Sequence, residues 1–441
     1  MVTYYVNGTI GADNTADSTN QTTPTKTIGA ALATSSAAYS AGVVIDIEIT
    51  DEGTYNEGDL GITKHGTTIL HTASALGRPK LHGVGTAGSG PGRAFNLSTD
   101  VTGTVFQGLE IHSYTSYVAY NGGSGGYPFT LSGCFVHSFI DSNNRYVSHN
   151  LKGTAANPNT IKDSVLYFPS NAQSSGIIRV DGGYLHIKNS FITASHDGRI
   201  VQDFGAANVT CSFSTFINRH PSTTYTQLRA SKVINCIVSG SGAGCRGIAS
   251  DDHTYNLVDT RGAPWRLHAD GADGSAGTGD LSGTLSGTVV VGFVDGTAIG
   301  STTAVAPNYK LQSDSSAVNA ATAFDGTTKD ISGTLRNQDS KNWSSYSTPP
   351  KSDFAGDLTI NRYTNAAAQY KRAPESSAGG YSMGCFAQAA SSDYDGPMNQ
   401  IAEQVPFSLA TRGPSAMRQR SIPYCVSKGG NPATIILTGS S

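Results

Sequence analysis

One short pattern recurs along the chain and restricts its fold more than any other feature. A polar or small residue, then a small one, precedes two or three apolar β-formers, and a turn follows. Copies include Gly133-Cys134-Phe135-Val136, Asp163-Ser164-Val165-Leu166, Asn189-Ser190-Phe191-Ile192 and Asn235-Cys236-Ile237-Val238. With the first large apolar residue as marker, the copies fall at Leu109, Phe135, Val165, Phe191, Phe216, Ile237 and Leu257, at intervals of 20 to 30 residues. Each unit holds Gly, Asn and β-branched residues, not the 3.6-residue stripe of a helical repeat. A strand that returns at this interval with turns between points to a parallel β-solenoid. Each circuit lays its strands ~4.8 Å from those of the circuit before. The seven markers are then expected to form one apolar column inside the cylinder. Cys134 with Cys236, and Ser164 with Ser190, are expected to stack as small residues beside a bend.

Composition agrees. Of 441 residues, 52 are Gly and only 14% are charged, which favours short strands and many turns over long helices. A solenoid core grows along its axis, so a chain of this length need not split at the ~250–300 residues that limit one globular core. Net charge is −3, from 29 basic and 32 acidic residues, and no basic stripe is visible along the chain. Nucleic acid is therefore not an expected partner. The most apolar stretches, near Val43–Ile49 and Val289–Val294, are strand-sized, so no membrane span is expected. Six scattered cysteines, without a CxxC pair or a His partner at zinc spacing, read as buried small hydrophobes in a reduced compartment.

The ends carry separate signals. Tyr4-Tyr5-Val6 reads as a first strand, and Thr25-Lys26-Thr27-Ile28 opens a short helix suited to capping the open end of a solenoid. Residues 1–40 are taken as this strand and cap, 41–387 as the β-helix, and 388–441 as a C-terminal arm for assembly or anchoring. Gly271–Gly287 is rich in Gly, Ser, Ala and Thr and reads as a loop or a loosely packed coil. In the arm, Arg418, Arg420, Ile435, Ile436 and Leu437 are the candidate assembly residues: a small cationic group, then an apolar strand that needs a surface to cover it, in cis or in trans.

Taken in order, Tyr4-Tyr5-Val6, Pro24-Thr25-Lys26-Thr27-Ile28, Gly53-Thr54-Tyr55, Asn308-Tyr309-Lys310-Leu311 and Tyr381-Ser382-Met383-Gly384 resemble the pectate-lyase-like superfamily. That resemblance implies an all-β fold, a right-handed single-stranded parallel β-helix with an N-terminal cap helix and a C-terminal extension. The segment Ser195–Asp203 resembles a coil region of pectate lyases, which hold calcium on carboxylates of adjacent coils while a basic residue abstracts a proton. On that reading Asp181, Asp197 and Asp203 would gather the metal, and Arg199 or Arg179 would be the base. The two acids of the segment stand six residues apart, wider than the family spacing, and no Arg-Pro-Arg segment follows. The competing expectation is polar residues at a coil bend. Asp251-Asp252-His253 offers a carboxylate pair for glycoside hydrolysis, without the segments that accompany such a pair in β-helical polygalacturonases.

The superfold hosts many activities, so function is argued from the remaining signals. Met1–Val6 carries no cationic region or apolar stretch of export-signal length. The leading expectation is a non-enzymatic bacteriophage virion protein, a capsid decoration or tail component. It would be made in the host cytoplasm, assembled with other virion proteins, as a homotrimer by preference, and would need no cofactor. The alternative is an extracellular polysaccharide lyase or tailspike-like depolymerase using calcium on a host surface glycan. A glycan-binding adhesin without catalysis is the second alternative.

Overall fold

The computed structural model describes residues 1–283 apart from short stretches between strands, together with positions 321 and 324. Asp197, the arm 388–441 and its Arg418, Arg420, Ile435, Ile436 and Leu437 lie outside the described residues.

The chain visits three sides in turn and returns to each in sequence order. The first sheet runs from Val2–Val6 through Ile45–Ile49, Thr67–Leu70 and Thr104–Gln107 to Lys232–Ile234 and His253–Thr254, ten strands in all. The second, also of ten, runs from Thr54–Tyr55 through Lys80–His82, Glu110–His112 and Phe135–His137 to Leu257–Thr260 and Leu281–Gly283. The third side begins as a four-stranded sheet, Leu60–Ile62, Arg93–Leu97, Tyr117–Asn121 and Tyr146–His149. It continues as a five-stranded one, Ile178–Asp181, Val201–Phe204, Leu228–Arg229, Cys245–Arg246 and Trp265–Arg266. Val147 N donates to Ile177 O at 3.1 Å where the two meet. Neighbouring strands are parallel throughout. Parallel strands joined by crossovers of this kind wind right-handed, and the architecture is a right-handed parallel β-helix.

The recurrent sequence pattern is the bend between the first and second sheets. Gly108, Gly133, Asp163, Asn189, Phe213, Asn235 and Tyr255 all take positive φ, from 46° to 69°. Gly, Asn and Asp enter that region at least cost. At Gly108 a Cβ would also stand 2.8 Å from His71 O, so a side chain is excluded twice over. The residue after each is small in most coils, and these small residues stack. Cys134 N donates to Ser164 Oγ, Ser164 N to Ser190 Oγ and Ser190 N to Ser214 Oγ, at 3.1 to 3.3 Å. The stacking expected for Cys134, Ser164, Ser190 and Cys236 is present, as one continuous column.

The apolar column differs from expectation. Phe135, Val165, Phe191, Ile237 and Leu257 do share a register, but Glu110 and Thr215 fill the places assigned to Leu109 and Phe216. Phe216 stacks instead with Val136, Leu166, Ile192, Val238 and Val258, and it is this column that joins the continuous interior core. Because strand faces alternate, a slip of one residue exchanges inside for outside. From the first sheet Ile69, Phe106, Leu131, Ile161 and Ile187 meet it, none more than 1% exposed, and Phe106 stacks on Phe95 of the third side at 4.0 Å. Each such side chain contributes about 1.5–3 kcal/mol by burial.

The expected helix spans Ile28–Ala38. Thr27 Oγ1 accepts from Ala30 N, and the Glu57 carboxylate accepts from Ile28 N and Gly29 N at 2.9 and 2.8 Å, which satisfies the free N–H groups of the first turn. Its buried Ile28, Ala31 and Leu32 join the core at the N-terminal end. The Gly-rich segment is more ordered than a loop reading allows: Leu281–Gly283 adds a further rung on Leu257–Asp259. Cys134, Cys211, Cys236 and Cys245 are free and buried, and burial pushes the thiols of Cys134, Cys211 and Cys245 up, out of reach of thiolate chemistry.

Candidate functional site

The five-stranded sheet of the third side carries the densest charge pattern. Its inward column is Ile178, Val201, Leu228 and Cys245, all at most 1% exposed, with Trp265 next in register. The residue following each of these is Arg179, Gln202, Arg229, Arg246 and Arg266. Arg179 pairs with Gln202, and Arg229 with Arg246, which pairs in turn with Arg266. Four arginines and a glutamine thus occupy one register position on five successive coils. Arg179 and Arg229 are half-buried on the outer face and Gln202 is buried. The register gathers four arginine positions that stand far apart in the linear sequence. The stripe was hidden because the intervals between its members, read along the chain, vary with the loops between coils.

Guanidinium forks pair bidentately with carboxylate or phosphate, which makes Arg better suited than Lys to such a surface.

The acids and base expected from the sequence fall on the same sheet. Asp181 ends the strand Ile178–Asp181 and Asp203 lies within Val201–Phe204, but they stand one register step apart: Val180 pairs with Asp203 and Asp181 with Phe204. Arg199 lies two residues before Val201, half-buried, and its carbonyl accepts from Ile177 N at 3.2 Å. Among the described residues no three His, Cys, Asp or Glu side chains converge on a point that could hold a metal ion. His253, read with Asp251 and Asp252 as a hydrolytic candidate, is committed elsewhere. It points into the last coils, 2% exposed, and is ion-paired with the buried Asp280.

Nearer the N-terminus the same side carries aromatic rings. Tyr117 and Tyr120 lie 5.6 Å apart, and Arg93 stands 4.3 Å over the Tyr120 ring while pairing with Asp59.

No protein-family model matches the chain, and no curated protein matches it in sequence. Two solved structures are similar to it in fold. The crystal structure of pectate lyase Pel9A is 15% identical, with a TM-score of 0.36, and the match covers 76% of this chain and 94% of that one. The GH136 lacto-N-biosidase from Eubacterium ramulus is 11% identical, with a TM-score of 0.30, covering 64% of this chain and 67% of that one.

Proposed function

We propose that this β-helix binds an extended anionic polysaccharide, one carrying carboxylate or sulfate groups, along the arginine column of its third side. The observation that carries the reading is the placement of Arg179, Arg229, Arg246 and Arg266 at one register position. Coils repeat every ~4.8 Å, close to the length of one sugar residue in an extended chain, so charges on successive sugars and on successive coils run in step. The Tyr117 and Tyr120 rings on the same side add surfaces on which pyranose rings stack. Binding is the function proposed, and cleavage of the bound chain is a separate question that the same assay answers. A phage virion remains a setting compatible with this reading, a rod held through residues 388–441 that meets a host glycan along its flank.

The test is a binding series on the full chain with anionic and neutral polysaccharides of matched length, at rising salt. The expected result is binding of the anionic polymers only, weakening steeply between 50 and 500 mM salt, because screening shortens the reach of each charge. Equal binding of neutral and anionic chains, or none of either, contradicts the proposal. Release of unsaturated oligosaccharides during the assay would add lyase activity to it.

A further inference from the structure

Away from the arginines, the outer face of the second sheet holds three histidines at one register position. His82 pairs with His112, and His112 with His137. Their rings stack at 4.7 and 4.9 Å, inclined by 18° and 5°. Lys80 and Glu110 pair in the adjacent column, and Tyr167 continues the histidine column beyond His137. His137 Nε2 lies 3.0 Å from Glu110 Oε1, and the Glu110 side chain is only 6% exposed. His82 Nδ1 meets Asn56 Oδ1 at 3.1 Å and His112 Nδ1 meets Ser113 Oγ at 3.0 Å. His112 Nε2 is buried without a hydrogen-bond partner.

Rings stacked face to face cannot aim their nitrogens at one ion, so the column is not built as a metal site. Its geometry suits a neutral imidazole at the centre. A proton on the central ring would be buried, would have no acceptor at Nε2, and would sit between two further imidazoles with Lys80 close by. Among the described residues Glu110 is the anion facing the column, and it is already held by His137. Burial first, then the charge of His137, pushes His112 down to about 4, against the opposing pull of Glu110. For Glu110 burial acts upward, but the hydrogen bond and charge of His137 outweigh it, with Lys80 helping, and the carboxyl lies below its usual range.

We infer that the His82–His112–His137 column is an acid-sensitive joint, which holds three coils in register while the central His112 ring is neutral and loosens them when that ring takes up a proton. The signs agree. A histidine whose pKa is depressed by folding contributes in full above its ordinary value of 6.5, and that contribution is lost as the pH falls toward about 4. A carboxylate depressed by folding likewise contributes above its ordinary value and loses the contribution below it, so Glu110 acts in the same direction. In a solenoid each coil is held chiefly by its neighbours. Loosening should therefore be local to these coils before it is global.

Amide hydrogen exchange on the full chain, at pH 7.5 and pH 4.5 and corrected for the intrinsic rate, tests this. Strands Lys80–His82, Glu110–His112 and Phe135–His137 are expected to lose protection on acidification at least about tenfold more than Tyr184–Lys188 and Asn208–Ser212. His112→Phe keeps a stacked ring that cannot titrate, and should cut the acid-specific loss by threefold or more while protection at pH 7.5 is kept. His82→Gln provides a second variant if His112→Phe perturbs the stack at neutral pH. An acid response that is uniform along the rod, or unchanged in both variants, overturns the inference.

Discussion

The double substitution Arg229→Gln with Arg246→Gln is expected to weaken binding of an anionic polysaccharide by about 100-fold or more at moderate salt. The two positions pair directly on adjacent coils near the middle of the column, so removing both interrupts the stripe. A hydrogen bond to a charged group is worth about 1.5–3 kcal/mol, and each 1.4 kcal/mol is a tenfold change in affinity. Glutamine keeps part of the stem and the polarity while removing the charge. Isothermal titration of wild type and variant with one defined oligosaccharide measures the difference. Lys162→Gln with Lys188→Gln is the control, because that pair stands in register on the first sheet, away from the stripe. If the lysine variant loses as much affinity as the arginine variant, the attraction is diffuse charge and the column has no special part.

Asp280→Ala is expected to open the last described coils. Asp280 extends the column of small bend residues, following Asn256, in a segment whose composition suggests a loop or a loosely packed coil. Its Oδ1 accepts from Asn256 N at 2.8 Å and Asn256 Nδ2 at 3.0 Å. Its Oδ2 accepts from Gly277 N at 2.7 Å and meets His253. The side chain is fully buried. Alanine leaves Asn256 N without that acceptor, while Asn256 Nδ2 keeps Val233 O and Gly277 N keeps His253 Nδ1, and a buried donor left unsatisfied costs about 1–3 kcal/mol. With nearest-neighbour stability the loss should appear as faster exchange of the Tyr255 and Leu257 amides, while coils near Phe106 stay protected. Asp280→Asn, which retains an acceptor for Asn256, should recover roughly half of the protection. Unchanged exchange at these amides would show that Asp280 closes nothing.

Much of the architecture could be read from residue order because the bend imposes a local rule. A left-handed residue followed by a small one favours Gly, Asp or Asn and then Ser or Cys, and the sequence displays that pair in most coils. The reading slipped by one residue where the rule is broken. Phe213, a bulky side chain, occupies the left-handed position with φ 47°, and Leu109 fills a small-residue place. Leu109 in that small place, and the polar Thr215 in the place that holds Phe135 and Phe191 in other coils, made Leu109 and Phe216 look equivalent to Phe135. The histidine column was in principle legible: His112 and His137 are each the fourth residue after a bend glycine, Gly108 and Gly133. The arginine column was not, since loops of differing length separate each bend from the third side and no fixed spacing survives in the chain. Asp181 and Asp203 lie on neighbouring strands, and their register depends on those same loops.

The most direct measurement is affinity as a function of ligand length, with uronate oligosaccharides from dimer to decamer. Arginine positions on four of the five coils predict that affinity rises with length until the chain spans the five strands of the sheet, after which it levels off. Affinity that does not change with length, or that is equal for neutral oligosaccharides, would contradict a column that reads charge along the coils.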